Sequence, residues 1–588
     1  AELTIRPCVG ILPCREDTAS GVRGGKFRMV LPTGGKERWT TMADKQEKRR
    51  WDAEVDVIVV GFGGAGACAA LEAAQKGASV LVLDRFHGGG ATAASGAIIY
   101  AGGGTPYQKA AGFDDTPDEM YKYLKQEVGD GVMSDETLRR FCEGSAADIQ
   151  WLAEAGVPFE GSMCPFKTSY PTDLYYLYFS GSENNGAYKA KAKPAPRGHR
   201  AKGPGISGLT LFHGLEKTVR KNEKIKVRCQ TKVTKLIQAE DGRVIGVESH
   251  SIPPSSIFLR RFHGAMTFVN AKLNTYMPPM ASLLNGLAGL VMTLRSRPYR
   301  AKARKGVILA AGGFIFNKKM VGECNSLFCK VMPLGTYADD GSGIALGESV
   351  GGITSHMDKM AAWTFYVPPE ALMQGVLVGK DGKRLCSEDL YGAKQGQYIA
   401  TKGGGYAYLI LDSKTFEEAK SHVKDQCAIF QKLAMMPMLY LGRKKAPSFE
   451  KLARKIGVSV EGLEATMKQY NEIAMSGQPD PLGKFPKRFV PQDTPPFYAM
   501  DMSFQGFSAV FTKGGLPVSA ITLGGLVVNE KTGQVVRKDG SSIEGLYAAG
   551  RNAVGLCGNG YFASGTSIAD CIFAGRRAGA DAAKRQAK

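Results

Sequence analysis

The sequence contains no Cys-x-x-Cys pair and only seven histidines in 588 residues. Its twelve cysteines follow neither zinc-ligand spacing nor a disulfide framework. Reduced thiols in a cytoplasmic protein are the expectation, and no metal is expected. Nor is there an apolar run fit to span a bilayer, which takes ~20 mostly apolar residues. The longest, residues 277–294, is broken by two prolines, an asparagine and two glycines. Residues 1–41 show no secretory apolar core. Met42 opens "MADKQEKRRWDAEVDV", which reads as an ordinary cytoplasmic start, so residues 1–50 are taken as a basic extension, non-native or disordered before Met42.

Acidic residues are also scarce: 55 against 76 basic ones, a net charge of +21. Three segments hold nearly all of the excess. Residues 1–50 carry five more positive than negative charges. Residues 184–202 carry six positive charges and residues 251–305 carry nine, and neither segment contains Asp or Glu. Acid-free basic stretches point to surfaces that meet something anionic. No nucleic-acid motif accompanies them, so nucleic acid is not an expected partner. The 251–305 stretch is strongly apolar as well, which favours a lipid surface.

What the chain does have is glycine, 74 residues of it, and an apolar fraction of 44% that suits a globular core. Residues 55–60 read as a buried strand, 64–76 as a helix and 79–83 as a second strand. Between them stands Gly61-x-Gly63-x-x-Gly66. Gly61 permits the tight turn, Gly63 lets a pyrophosphate approach the helix N-terminus, and Gly66 lets helix and strand pack closely. Asp84 follows 18 residues after Gly66, placed for a ribose hydroxyl. NAD and FAD both fit this unit. A second glycine-rich contact near the C-terminus, "GLYAAGRNAV", favours the longer cofactor, and no second dinucleotide fingerprint provides a separate NAD(P)H site.

Helices with N-caps at Thr116 and Ser134 follow, then strands turning at Asp241-Gly242. From about residue 352 to 504 the pattern becomes mixed, and afterwards it returns to strands and glycines. The expected fold is α/β: a doubly wound, Rossmann-like FAD-binding domain with an inserted α+β capping (catalytic) domain. Residues 51–351 form its first part, interrupted by the apolar basic insertion 251–300. Residues 352–504 form the cap, and 505–588 return to the FAD-binding domain. The insertion reads either as an amphipathic element on a membrane or as a cap packing on the protein or a second subunit.

The segments "GGGATAASGAIIYAGGGTPYQ", "RKGVILAAGGF", "YADDGSGIALGESVGG", "GKDGKRLCSEDLYG", "TLGGLVVN" and "GLYAAGRNAV" occur in order. Together they resemble the flavoprotein subunits of fumarate reductase and succinate dehydrogenase, over about residues 55–577 without the insertion. The resemblance implies FAD contacts from Gly61, Gly63, Gly64, Ala65 and Gly66, from Asp84 and Arg85, and from Gly90, Ala91, Thr92, Ser95, Gly96 and Ala97. It adds Val233, Ala311, Gly312, Asp340, Gly550, Ser567 and Ile568. The family's covalent flavin histidine is not matched around Thr92, so non-covalent FAD is expected. The family's arginine proton donor is also missing: no Arg follows Glu388 until Arg443. That argues against fumarate.

"AGGGTP", "WTFYVPPEALMQGVLVGKDGKRLCSEDLYGA" and "SGTSIADCIFAGRRAG" bring the chain nearest to the 3-ketosteroid dehydrogenases, the Δ4-(5α) type above all. There a cap-domain tyrosine and a Tyr-x-Ser element serve the steroid. Tyr366 fits the first, while the second departs: Tyr561-Phe562-Ala563-Ser564 puts Phe562 where the tyrosine is expected. Desaturating a ketone beside its carbonyl needs a base for the α-proton, donors to the carbonyl oxygen and a hydride acceptor. Tyr366 or Tyr561 is the candidate base or acid, Ser564 its partner, and Tyr391 lines the same pocket. Tyr170, Tyr175, Tyr176 and Tyr178 wall a flat substrate or form an ordinary aromatic core. Arg197, His199 and Arg200 approach the flavin or its phosphates, or form a solvated basic loop.

The expectation is ring-A desaturation at C4–C5 or C1–C2 of a 3-ketosteroid, or of another apolar ketone, with quinone or another acceptor taking the electrons. The protein would be bacterial, cytoplasmic and peripherally associated with the inner membrane through 251–300. An enone or enoate reductase running in the opposite direction is the alternative, and a flavin-binding protein without turnover is the third reading.

Overall fold

Val57, Ile58, Val59 and Val60 are buried on both faces of their strand. Such a run suits the centre of a parallel sheet, which is covered on both sides. The computed structural model describes residues 50–505 and 518–587, apart from 130, 277 and 364. The basic extension and the Met42 start therefore lie outside the described residues, except for Arg50. The strand Ala53–Val60 pairs in parallel with Val80–Leu83 on one side and Arg297–Leu309 on the other. Ile225–Arg228 extends the sheet beyond Val80–Leu83. Ser542–Ala548 and then Gln534–Val536 extend it beyond Arg297–Leu309. Strands from both ends of the chain share one sheet, which is the doubly wound α/β plan.

The first helix, Gly64–Gln75, and the last, Thr566–Lys584, lie side by side with little between them. A Cβ at Gly575 would stand 2.5 Å from the Ala65 carbonyl oxygen, and one at Gly579 would stand 2.3 Å from that of Ala69. Alanine and glycine on the facing sides allow this approach. Thr116 and Ser134 cap the helices Pro117–Val128 and Asp135–Glu154, accepting the amides of Glu119 and Thr137.

The insertion is a helical hairpin. Val244–Ser251 and Arg297–Leu309 pair antiparallel, with Ser251 opposite Arg297. Where a tight turn would join them, the helices Ile257–Tyr276 and Pro278–Arg295 stand instead. One face packs on the protein: His263, Thr267 and Asn270 are buried. The His263 ring stacks on Phe86 at 6.4 Å, and His87 Nδ1 lies 3.1 Å from Thr267 Oγ1. The other face is apolar and bare, with Phe258, Leu283 and Leu294 exposed. Among the described residues no helix is long and apolar enough to cross a membrane.

Between the two halves of the large sheet the chain builds a smaller antiparallel one. Val376–Val378, Tyr408–Leu411, Phe497–Asp501 and Lys444–Ala446 pair in that order. The helices Phe449–Ile456 and Val460–Ser476 bring Leu452, Leu463 and Met467 into one cluster with Val376, Ile410 and Ala499. A third sheet, of Met332–Pro333, Ser519–Thr522 and Met360–Trp363, ties segments before and after this region together.

The basic stretch 184–202 departs from its expectation. Arg197 and Arg200 are buried, and Arg197 pairs with Asp115 at 2.7 Å. Arg200 pairs with Asp173, and Lys202 with Glu160. Two of the six charges, Arg197 and Arg200, are thus spent inside the protein, where a buried cation needs a partner.

Candidate functional site

The glycine turn after the first strand is shaped by contacts that admit no side chain. A Cβ at Gly61 would lie 2.4 Å from the Ala310 carbonyl oxygen, and one at Gly66 would lie 1.9 Å from that of Gly61. Gly61 also holds φ +104°, which L-residues rarely adopt. The turn opens onto a cavity of about 610 Å³, within the usual range for a ligand site. Gly61, Gly63, Gly64, Ala65, Asp84, Arg85, Gly90, Ala91, Thr92, Ser95, Gly96, Val233, Ala311, Gly312, Gly550, Ser567 and Ile568 all line it.

Asp84 ties this wall together. Its carboxylate accepts the amides of Phe62 at 2.9 Å and Phe86 at 2.7 Å, and it still faces the cavity. Thr92 Oγ1 accepts the Gly64 amide at 2.9 Å. Two predicted contacts are packing residues behind the wall: Gly66 and Ala97 do not line the cavity. Asp340 is displaced by one position. It pairs with Arg85 at 2.6 Å, while its neighbour Asp339 lines the cavity and holds Arg551 at 2.7 Å. Burial opposes ionisation of Asp340, yet the Arg85 charge holds its carboxyl below the usual range.

The cradle fits FAD. Two buried donors, Arg551 Nη1 and Asn552 Nδ2, have no partner among the described residues, and Arg551 stands on the cavity wall. Buried donors call for acceptors, and a dinucleotide flavin is rich in them. The glycine turn, Asp84, Gly312, Asp339, Gly550 and Arg551 would hold it. Residues 90–97 contain no histidine.

Across the cavity the wall is aromatic. Trp363 Nε1 donates to Tyr391 Oη at 2.8 Å. Tyr391 Oη lies 3.1 Å from Ser564 Oγ, which donates to the Ser169 carbonyl at 3.2 Å. A serine has one hydroxyl proton, so Tyr391 donates to Ser564 in this state. Tyr561 crosses Trp363 edge to face at 4.9 Å and lies 6.2 Å from Tyr391. Its oxygen accepts the Ser567 amide at 3.2 Å, in the first turn of the last helix. Trp363, Tyr391, Tyr561, Ser564, Ser169 and Tyr170 all line the cavity. Burial pushes the phenols of Tyr391 and Tyr561 up.

The structure brings Tyr561, Tyr391 and Ser564 together and leaves Tyr366 out. Tyr366 is fully buried behind the wall, donating to Gln395 Oε1 at 2.6 Å. Tyr391 takes the place assigned to it. Phe562 packs edge-on against Tyr100 at 6.0 Å, so the one-residue shift puts Tyr561 on the cavity. Tyr170 is the member of its cluster that lines the site; Tyr175, Tyr176 and Tyr178 do not. Arg197, His199 and Arg200 neither line the cavity nor are solvated: all three are buried, and Arg200 packs behind the wall with its guanidinium 4.6 Å from the Tyr170 ring. Sequence reasoning missed Trp363 as a hydrogen-bond donor, Arg551, and the residues 430–434 at the cavity mouth. Arg551 had a visible signal, since it follows Gly550 directly.

Comparison with known proteins places these features. The FAD binding domain model matches residues 56–568. The chain is 35% identical to a 3-oxo-5-alpha-steroid 4-dehydrogenase of Comamonas testosteroni, over 85% of this chain and 93% of that protein. It is 26% identical to a 3-oxosteroid 1-dehydrogenase of Mycobacterium tuberculosis H37Rv, over 88% and 96%. Among solved structures it is similar to the 3-ketosteroid-delta4-(5alpha)-dehydrogenase of Rhodococcus jostii RHA1, solved in complex with 4-androstene-3,17-dione. There the TM-score is 0.74 at 32% identity, covering 92% of this chain and 99% of that one.

Proposed function

The chain belongs to the FAD-binding-domain family of flavoprotein oxidoreductases, and from that premise we propose that it desaturates ring A of a 3-ketosteroid at C4–C5. The observation that carries this reading is the placing of Tyr391, Ser564 and Tyr561 on one cavity with the glycine cradle. FAD, when bound, supplies the hydride acceptor for the ketone's β-carbon. The absence of a histidine from residues 90–97 supports non-covalent binding.

Tyr561 holds the carbonyl. Its oxygen accepts the Ser567 amide, and its own proton can turn from the Thr566 side chain to the ketone oxygen. The N-terminus of the last helix polarises that hydroxyl further and favours negative charge beside it. Tyr391 takes the α-proton as phenolate, after its own proton has passed to solvent through the open cavity that it lines. Burial disfavours its phenolate, so the anion needs donors. Trp363 supplies one, and Ser564 supplies a second by rotating its hydroxyl from the Ser169 carbonyl to Tyr391. Trp363 and Tyr170 wall the site with flat apolar surface suited to a fused-ring ketone.

The bare face of the inserted hairpin, in a stretch with nine basic residues and no acid, supports peripheral contact with the inner membrane on the cytoplasmic side. A membrane quinone is the fitting electron acceptor. Charging that face alone (Phe258→Glu, Leu283→Glu, Leu294→Glu) leaves the inner packing on Phe86 and His87 untouched. It should weaken flotation with anionic vesicles, and unchanged flotation would remove the hairpin from the contact.

The deciding experiment is an anaerobic flavin bleach. A 5α-saturated 3-ketosteroid should bleach the holoenzyme, and a Δ4-3-ketosteroid should not. Bleaching by the Δ4 steroid would move the new double bond to C1–C2. Bleaching by neither, with rapid reoxidation of dithionite-reduced enzyme by an enone, would make the protein a reductase.

A further inference from the structure

The mouth of the cavity is built by a segment remote in sequence from the hairpin. The helix Ile429–Pro437 is followed directly by a wide turn, Met438–Gly442. Phe430, Gln431, Leu433 and Ala434 line the cavity. The inner side of this segment is well anchored. The Phe430 ring meets Tyr170 edge-on at 5.6 Å, and Gln431 donates to the Tyr170 carbonyl at 3.3 Å. Met435, Met438 and Leu439 are buried.

The outer side has no such cover. Ile429, Leu433, Met436, Tyr440 and Leu441 are all exposed, Ile429 by 79% and Leu441 by 76%. Apolar area of this kind gains free energy when it leaves water. Leu433 belongs to both sides: it lines the cavity and is 70% exposed. Ile206, Leu334 and Phe365 repeat the pattern around the rim, each lining the cavity and each open to solvent. The rim also adjoins the hairpin, because Tyr337, three residues after Leu334, is hydrogen-bonded to Ser282 of the second inserted helix.

Charge identifies the occupant. Residues 426–449 contain no Asp or Glu and carry Lys432, Arg443, Lys444 and Lys445. Lys444 and Lys445 are exposed, three residues past Leu441. An apolar tip flanked by ammonium groups and free of carboxylates matches the acyl boundary of an anionic leaflet.

We infer that residues 426–449 dock on an anionic bilayer and that the cavity opens into it, so that an apolar ketone enters from lipid without crossing water. The delivery of a ketone rests on the proposed function; the lipid contact does not. The rim then exchanges one apolar surface for another as substrate passes, and no polar group is desolvated on the way in.

Two measurements on the FAD-loaded full chain test this. The first is hydrogen exchange with and without phosphatidylglycerol vesicles. Peptides covering 426–445 should gain protection with these vesicles and not with phosphatidylcholine alone; absence of protection would overturn the inference whatever the substrate proves to be. The second compares turnover of a 5α-saturated 3-ketosteroid delivered from phosphatidylglycerol vesicles or from cyclodextrin. Ile429→Glu with Leu441→Glu, neither of which lines the cavity, should lower the vesicle rate by about tenfold and leave the cyclodextrin rate unchanged. Equal loss by both routes would overturn the portal. So would a wild-type dimer that this pair of changes converts to monomer without lipid, since the patch would then be a subunit interface. No turnover from cyclodextrin by the wild type would count against the proposed function, and the exchange result would still decide the lipid contact.

Discussion

The cavity wall beside the first helix is mostly backbone. Glycine stands at 61, 63, 64, 90 and 96; a Cβ at Gly61 would collide with the Ala310 carbonyl, and one at Gly64 or Gly96 with the Thr92 or Tyr170 side chain. The wall opposite is mostly side chain: Trp363, Phe365, Tyr391, Phe430 and Tyr561, gathered from segments nearly two hundred residues apart. The first wall is specified locally, by spacing within one βαβ unit. The second exists only when distant segments meet. A backbone wall tolerates almost no substitution, while a side-chain wall can be dismantled one group at a time.

That contrast can be tested at both ends. The largest effect is expected at Gly66. In Gly66→Val the first helix must move, and the purified protein should carry no flavin colour. Gly144→Ala, in the helix Asp135–Glu154 where a Cβ meets nothing, should keep its flavin and gain up to ~1 kcal/mol in denaturant titration. If both variants lose flavin, the backbone wall is not what holds it.

On the other wall, Tyr391→Phe should keep full flavin content and lose ~10²–10⁴ in kcat, the usual worth of a positioned acid or base. Tyr561→Phe should lose ~10²–10³, as expected of a carbonyl donor. Tyr366→Phe should lose little activity, since its hydroxyl is spent on Gln395; its cost is about 1 kcal/mol of stability. Reversal of the order between Tyr366 and Tyr391 would return the cap-domain role to Tyr366.

Trp363→Phe removes a donor to the Tyr391 oxygen and should act more gently. The phenolate is less favoured, so the ascending limb of the kcat profile moves to higher pH with steroid affinity unchanged. A uniform loss at every pH would mean that Trp363 only packs.

The smallest effect lies away from both walls, in the buried strand Gly198–Arg200. Burial holds the His199 imidazole neutral and draws its pKa from 6.5 down to about 4. The unfolded chain therefore binds the extra proton between pH 6.5 and 4, so stability is full above 6.5 and falls as pH drops through that window. His199→Asn should flatten that part of the slope in thermal melts; an unchanged slope would assign it to other groups.

The difference between the walls also explains what could be read from the sequence. The places of Gly61, Asp84 and Gly550 on the cavity were legible because each lies in a short pattern with one backbone consequence. Asp339 and Asp340 are adjacent carboxylates, and only packing decides that Asp339 meets Arg551 while Asp340 meets Arg85. Tyr366 and Tyr391 both lie near apolar runs; which one faces the cavity depends on their partners, Gln395 for Tyr366, 29 residues on, and Ser564 for Tyr391, 173 residues on. Arg197 and Arg200 read as surface charge because Asp115 and Asp173, which neutralise them, lie distant in the chain. The hairpin's apolar content was visible, but its second face, braced on Phe86 and His87, was not. The acid-free stretch 426–449 went unmarked because its apolar residues read as one more amphipathic helix until the cavity behind it is seen.

The pairing of the first helix with the last has a consequence for how the protein is made. Ala65 and Ala69 lie against Gly575 and Gly579, about five hundred residues later. At ~5–20 residues per second a ribosome needs roughly half a minute or more to supply the second helix after the first. Throughout that interval the alanine face of the first helix is uncovered, and the Gly550 and Ser567 side of the cofactor cavity does not yet exist. Flavin capture in a complete cavity is therefore a late event in the life of each chain.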